Sequence, residues 1–162
     1  MKNENSGMKL RLIVMNFLQF AVWGAYLTSM GTYLFNIGLG AKIGLFYAMQ
    51  GIVSLFMPAV MGIIADRWVP AQKLYGFCHF MAAVFMVAAG WYGYVDGEAV
   101  NFGTLFTFYS LSVAFYMPTL ALTNSVAYTA LDKVKLDPVI AFPPIRIFGT
   151  IGFICSMLLT DI

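Results

Sequence analysis

The sequence predicts an all-α polytopic membrane protein of five transmembrane helices, and three observations carry that expectation. Only 10% of the 162 residues are charged against 61% hydrophobic, with a mean hydropathy of +0.83, whereas soluble domains carry about 25% charged residues. The charges fall at intervals, leaving long uncharged runs between them. Each run is long enough, at ~1.5 Å rise per residue, to cover a hydrocarbon core of ~30 Å. None shows the short alternating pattern of membrane barrel strands. The same composition excludes a disordered chain, a coiled coil and a nucleic-acid binder, because a formal net charge of +2 supplies no basic footprint. Cys78 and Cys155 lie deep in apolar runs and form no disulfide framework.

The first span, about residues 12–35, is too long and too far from the start for a signal-peptide core. The second (43–65) and third (74–95) are uncharged, as is the fourth (101–127). The fifth (138–160) is apolar except for Arg146. An inside N-terminus puts Lys2, Lys9, Arg11, Arg67, Lys73, Lys133 and Lys135 on the cytoplasmic side. Lys42, with Asp96 and Glu98, is then left outside. That asymmetry sets the expected orientation. Tyr33, Phe35, Trp68, Trp91, Tyr92 and Tyr94 sit at span ends as an interfacial aromatic belt. Small residues four apart (Gly24/Thr28, Ala25/Ser29 and Gly152/Ser156) suit close helix approach.

Enzymatic chemistry finds little to work with. The single histidine is His79, every acid lies at or beyond a span end, and no metal-ligand spacing occurs. No catalytic residue, bound metal or cofactor is therefore expected. The spans instead carry scattered hydrogen-bonding groups (Asn16, Gln19, Thr28, Gln50, His79, Thr119, Thr123, Asn124 and Thr150), which commonly join helices. Arg146 stands apart, since a charge within a span is costly and marks a functional position by default. The alternative is an arginine near the cytoplasmic end whose head reaches the lipid headgroups. Asp137-Pro138 reads as N-cap and first helical residue, which places Arg146 ~12 Å along the helix. Pro143 and Pro144 interrupt the hydrogen-bond ladder just before it, as at transporter binding sites. Thr150 and Phe153 follow on the same face. A multi-donor fork, a hydroxyl and a ring along one stripe suit an uncharged polar ring compound. No carboxylate partner for Arg146 occurs within any span.

Gly62-Ile-Ile-Ala-Asp66-Arg67 closes the second span and resembles, in part, the cytoplasmic loop motif of the major facilitator superfamily, G-x-x-x-D-R-x-G-R-[RK]. Trp68-Val-Pro-Ala-Gln-Lys73 replaces its glycine and dibasic tail. On that resemblance Gly62, Asp66 and Arg67 belong to a gating latch; otherwise they form a solvated turn.

Four stretches extend the likeness: Phe17-Leu-Gln-Phe-Ala-Val-Trp23-Gly24, Phe56-Met-Pro-Ala-Val-Met-Gly62-Ile-Ile-Ala-Asp66, Tyr116-Met-Pro-Thr-Leu120 and Phe142-Pro-Pro-Ile-Arg146-Ile-Phe-Gly-Thr150-Ile-Gly-Phe153. Together they resemble the bacterial nucleoside:proton symporter family from about residue 10 to residue 159. The resemblance implies a twelve-span major facilitator fold that takes up nucleosides across the inner membrane by alternating access, driven by the proton gradient. It implies substrate-binding roles for Arg146, Thr150 and Phe153, with Gln19, Trp23 and Asn124 as secondary candidates. The family's membrane carboxylates lie mainly in its second half. The expectation is thus an incomplete N-terminal transmembrane half, residues 1–162, truncated before a sixth helix and inactive alone. Its expected partners are a nucleoside, the bilayer and the missing C-terminal half. Two other readings remain: half of a sugar or oligosaccharide–proton symporter, or a non-transporting membrane interaction protein.

Overall fold

The computed structural model describes Lys2–Thr160. Five α-helices follow one another: α1 (Lys2–Asn36), α2 (Ile43–Arg67), α3 (Ala71–Asp96), α4 (Phe102–Lys133) and α5 (Pro138–Thr160). All five are long and apolar enough to cross a membrane, and the described residues contain no strand. Single turns of 3-10 helix at Gly40–Lys42 and Gly97–Ala99 start two of the connections' outlets into α2 and away from α3. The helices overrun the uncharged stretches. α1 starts upstream of Leu12 and α4 continues to Lys133, because Lys, Arg and Glu are themselves good helix formers once a helix leaves the lipid.

The helix ends are written in local chemistry. α1 and α4 close with the same motif. Leu39 N–H donates to Leu34 O at 2.8 Å and Gly38 N–H to Phe35 O at 3.2 Å, with Gly38 at φ 77°. At the end of α4, Leu136 N–H donates to Leu131 O at 3.1 Å and Lys135 N–H to Asp132 O at 2.9 Å, with Lys135 at φ 57°. These paired bonds satisfy the last carbonyls of each helix. Two helices start on side-chain caps. Asn101 Oδ1 accepts from Gly103 N–H at 2.8 Å, and Asp137 Oδ1 from Val139 N–H at 2.9 Å, with Pro138 as first helical residue. Pro58, Pro118, Pro143 and Pro144 all lie inside helices. α5 therefore runs on through its two prolines: they delete backbone donors to Val139 and Ile140 without ending the helix.

The chain forms two compact units. One comprises α1 to Met30, α4 from Thr123 and α5; the other comprises residues 31–122. In the first, Leu12 packs with Ala127, Ala130 and Leu131 of α4 and with Ala141, Phe142 and Ile145 of α5. Tyr128 meets Phe142 edge-on, centroids 5.0 Å apart. α1 and α5 touch backbone to backbone: a Cβ on Gly152 would collide with the Phe17 carbonyl, and one on Gly24 would lie 2.6 Å from Phe153 O and against Ser156 Oγ. Gly24 and Gly152 are thus contact residues, as their spacing predicts. Ser29 is exposed and returns its hydroxyl to Ala25 O of its own helix.

The second unit buries Met61, Leu74, Cys78 and Leu122 together. Polar ties cross it: Gln50 Nε2 donates to the Tyr109 hydroxyl at 2.6 Å, and Ser112 Oγ to Ala82 O at 2.7 Å. Such bonds join helices where lipid tails give no hydrophobic incentive to associate. Phe35, Trp68, Trp91 and Tyr94 are exposed at helix ends, where a belt needs them. Tyr33 differs: its hydroxyl is buried against Gly93, so it packs α1 on α3 instead of facing an interface.

Candidate functional site: an arginine and a row of rings between α1 and α5

Helical spacing sets the two faces. On α5, residues 146, 149, 150 and 153 share one stripe, and on α1 so do 16, 19, 20 and 23. The bare backbones at Gly24 and Gly152 let the stripes approach closely enough for side chains to interleave.

Arg146 is half-buried, and its guanidinium carbon lies 3.9 Å from the centroid of the Phe20 ring. Phe20 is 7% exposed and tilts against Trp23 at 6.2 Å. Trp23 in turn meets Phe153 edge-on at 5.7 Å. The result is a continuous row, Arg146–Phe20–Trp23–Phe153, that crosses twice between the helices. Gly149 completes it. A Cβ there would sit 2.7 Å from Phe20 Cδ2 and 2.9 Å from Arg146 Nη1, so both side chains rest against its backbone.

The row holds hydrogen-bonding capacity that the described residues do not use. Trp23 Nε1 is buried without a partner. Among the described residues no carboxylate pairs with Arg146. Asn16, fully buried one turn below, donates Nδ2 to Leu12 O at 2.9 Å and leaves Oδ1 unpartnered. A cation held on an aromatic face keeps its N–H edges available, which a carboxylate partner would consume. Flat, neutral compounds rich in acceptors are what such an arrangement can grip.

The structure thus brings together three residues singled out from the sequence, Arg146, Trp23 and Phe153. Thr150 shares their stripe on α5 and is exposed. Gln19 lies on the α1 stripe and is buried, whereas Asn124 is exposed on α4, outside the row. Asp66 and Arg67 are exposed in the last turn of α2, and Gly62 has open space beside it. Sequence reasoning passed over Phe20 and Gly149. One phenylalanine and one glycine among fifteen of each carry no mark, although both fall on the stripes that Arg146 and Trp23 define.

Comparisons with known proteins agree with this architecture. The family described as "Nucleoside H+ symporter" matches residues 6–161. The chain is 43% identical over 150 residues to the xanthosine permease of Escherichia coli, covering 91% of this chain and 34% of the permease. It is 40% identical over 153 residues to the nucleoside permease NupG of the same organism, covering 93% of this chain and 35% of that one. The crystal structure of the nucleoside transporter NupG superposes with a TM-score of 0.80 at 39% identity, over 93% of this chain and 36% of the other. The chain spans about a third of the length of these curated relatives, which are permeases and not enzymes. It is an all-helical, multi-pass membrane protein, and it belongs to the nucleoside H+ symporter family.

Proposed function

We propose that this chain is the N-terminal part of a proton-coupled nucleoside transporter of the bacterial inner membrane, its N-terminus cytoplasmic, that works by alternating access. The observation that carries the reading is the Arg146 guanidinium seated on Phe20, its donors unspent, at the head of a row of rings that ends in Phe153. A nucleoside presents a flat base and a ribose, both neutral and rich in acceptors. Arg146 donates to those acceptors, Phe153 stacks on the base, and the exposed Thr150 hydroxyl adds a bond. Gln19 and Trp23 shape the surroundings, while Asn124 lies outside the row on α4.

Arg146 cannot be the proton carrier, because a guanidinium stays protonated at any physiological pH. Among the described residues every acid of a membrane-crossing helix lies at the helix's end and none in its middle, so the coupling carboxylate belongs to the remainder of the transporter, together with the rest of the substrate path. Gly62, Asp66 and Arg67 form a latch at the cytoplasmic end of α2. A latch shifts the balance between inward- and outward-open states without touching substrate.

The test is nucleoside binding by the transporter expressed from its complete reading frame. Calorimetry in detergent with uridine and adenosine, alongside thermal melts, should show Arg146→Ala folded and severely weakened. If Arg146→Ala binds both like wild type, Arg146 is a headgroup anchor and the site lies elsewhere. Uptake of labelled glucose or maltose in place of nucleosides would instead support the sugar-transporter reading.

A further inference from the structure

We infer that Phe20 and Gly149 form a seat that sets the plane of the Arg146 guanidinium, which makes Phe20 a positioning residue for substrate recognition. The inference rests on Arg146 being a substrate residue and goes beyond it, because it says how a cation with no carboxylate partner among the described residues is held in place.

Arginine recognises ligands through a planar fork of N–H groups, so its value depends on where the plane lies. A long side chain without a partner samples many orientations. Most buried arginines are held by a carboxylate, which fixes the plane but consumes donors and charge. Arg146 has no such partner among the described residues. What it has is a ring face at 3.9 Å. Stacking on a ring confines the guanidinium while its N–H edges stay free.

The seat has two parts. Phe20 is buried and wedged by Trp23, which leans on Phe153. Beside them, Gly149 offers backbone with no side chain, where a Cβ would meet both Phe20 Cδ2 at 2.7 Å and Arg146 Nη1 at 2.9 Å. Any larger residue at 149 must displace the ring or the fork. The two helix backbones themselves approach closely at Gly24 and Gly152, which brings the ring and the arginine within reach of each other.

The experiment compares Phe20→Leu, Phe20→Tyr, Gly149→Ala and Arg146→Ala in the transporter expressed from its complete reading frame, reading uridine and adenosine affinity and thermal melting. Phe20→Leu keeps apolar bulk but removes the π face; binding should weaken about tenfold while the melting temperature is retained. Phe20→Tyr restores a ring and should stay within about threefold of wild type. Gly149→Ala should weaken binding as Phe20→Leu does. Wild-type affinity in Phe20→Leu, or no recovery in Phe20→Tyr, overturns the seat. Should Phe20→Leu fail to fold, Gly149→Ala decides, and wild-type affinity there overturns it. Arg146→Ala separates the two readings. If it binds like wild type, the substrate role of Arg146 falls and the seat with it; if it loses binding while Phe20→Leu does not, the seat alone falls.

Discussion

Arg146 was legible from its sequence position because a lone charge in an apolar run costs energy that something must justify. Its neighbours were legible only in part. Thr150 and Phe153 follow from helical spacing, but the contact that holds the arginine joins residues 126 positions apart, and spacing within one helix says nothing about that. The proposed site residues should contribute unequally. Thr150→Val, close in shape, should weaken nucleoside binding by roughly 0.5–1.5 kcal/mol if its hydroxyl bonds substrate. Phe153→Ala should cost roughly 1–3 kcal/mol, by analogy with base–aromatic stacking. Arg146→Lys should rescue poorly, because an ammonium lacks the planar fork. Calorimetry on the three variants checks the order; Thr150→Val weaker than Phe153→Ala would place the hydroxyl, not the ring, at the base.

Helices reveal which of their ends are comfortable. α1 and α4 use the same closing motif, but α1 supplies glycine at the left-handed position and α4 supplies Lys135. For a side chain the left-handed region costs roughly 1–2 kcal/mol, partly offset because glycine loses more entropy on folding. Lys135→Gly should therefore raise stability by about 0.5–1 kcal/mol, and Gly38→Ala should lower it by about 1 kcal/mol. Melting temperatures of the two variants in one detergent test this; a fall for Lys135→Gly would mean that its side chain contributes more than its backbone strain removes. The caps at Asp137 and Pro138 could be read directly from the chain, because they depend on neighbours in sequence. The continuation of α5 through Pro143 and Pro144 could not. Each proline removes one backbone bond, and whether a helix survives that loss depends on what packs around it.

For the whole molecule, the Lys/Arg distribution gives an expected orientation, N-terminus inside, that labelling can check. With Cys78 and Cys155 replaced by alanine, Ala99→Cys should react from outside intact cells and Val134→Cys only after permeabilisation. Reaction of Val134→Cys in intact cells would reverse the orientation. In the same cells Asp66→Asn should slow uptake more than it weakens binding; unchanged uptake would reduce the α2–α3 turn to a solvated connection. Composition and charge spacing by themselves determined that this chain is a set of five membrane-crossing helices, because a polar or charged group within lipid is too costly to be placed at random. They also pointed to Arg146. What tertiary structure decided is which surfaces meet: Gly24 and Gly152 as the close contact of α1 with α5, Tyr33 as a packing residue on Gly93, Phe20 and Gly149 as the seat of the arginine. In an apolar chain nearly every face is equally able to face lipid or protein. The choice between them falls to shape, to the absence of a Cβ or the presence of a ring, and shape acts between residues far apart in sequence.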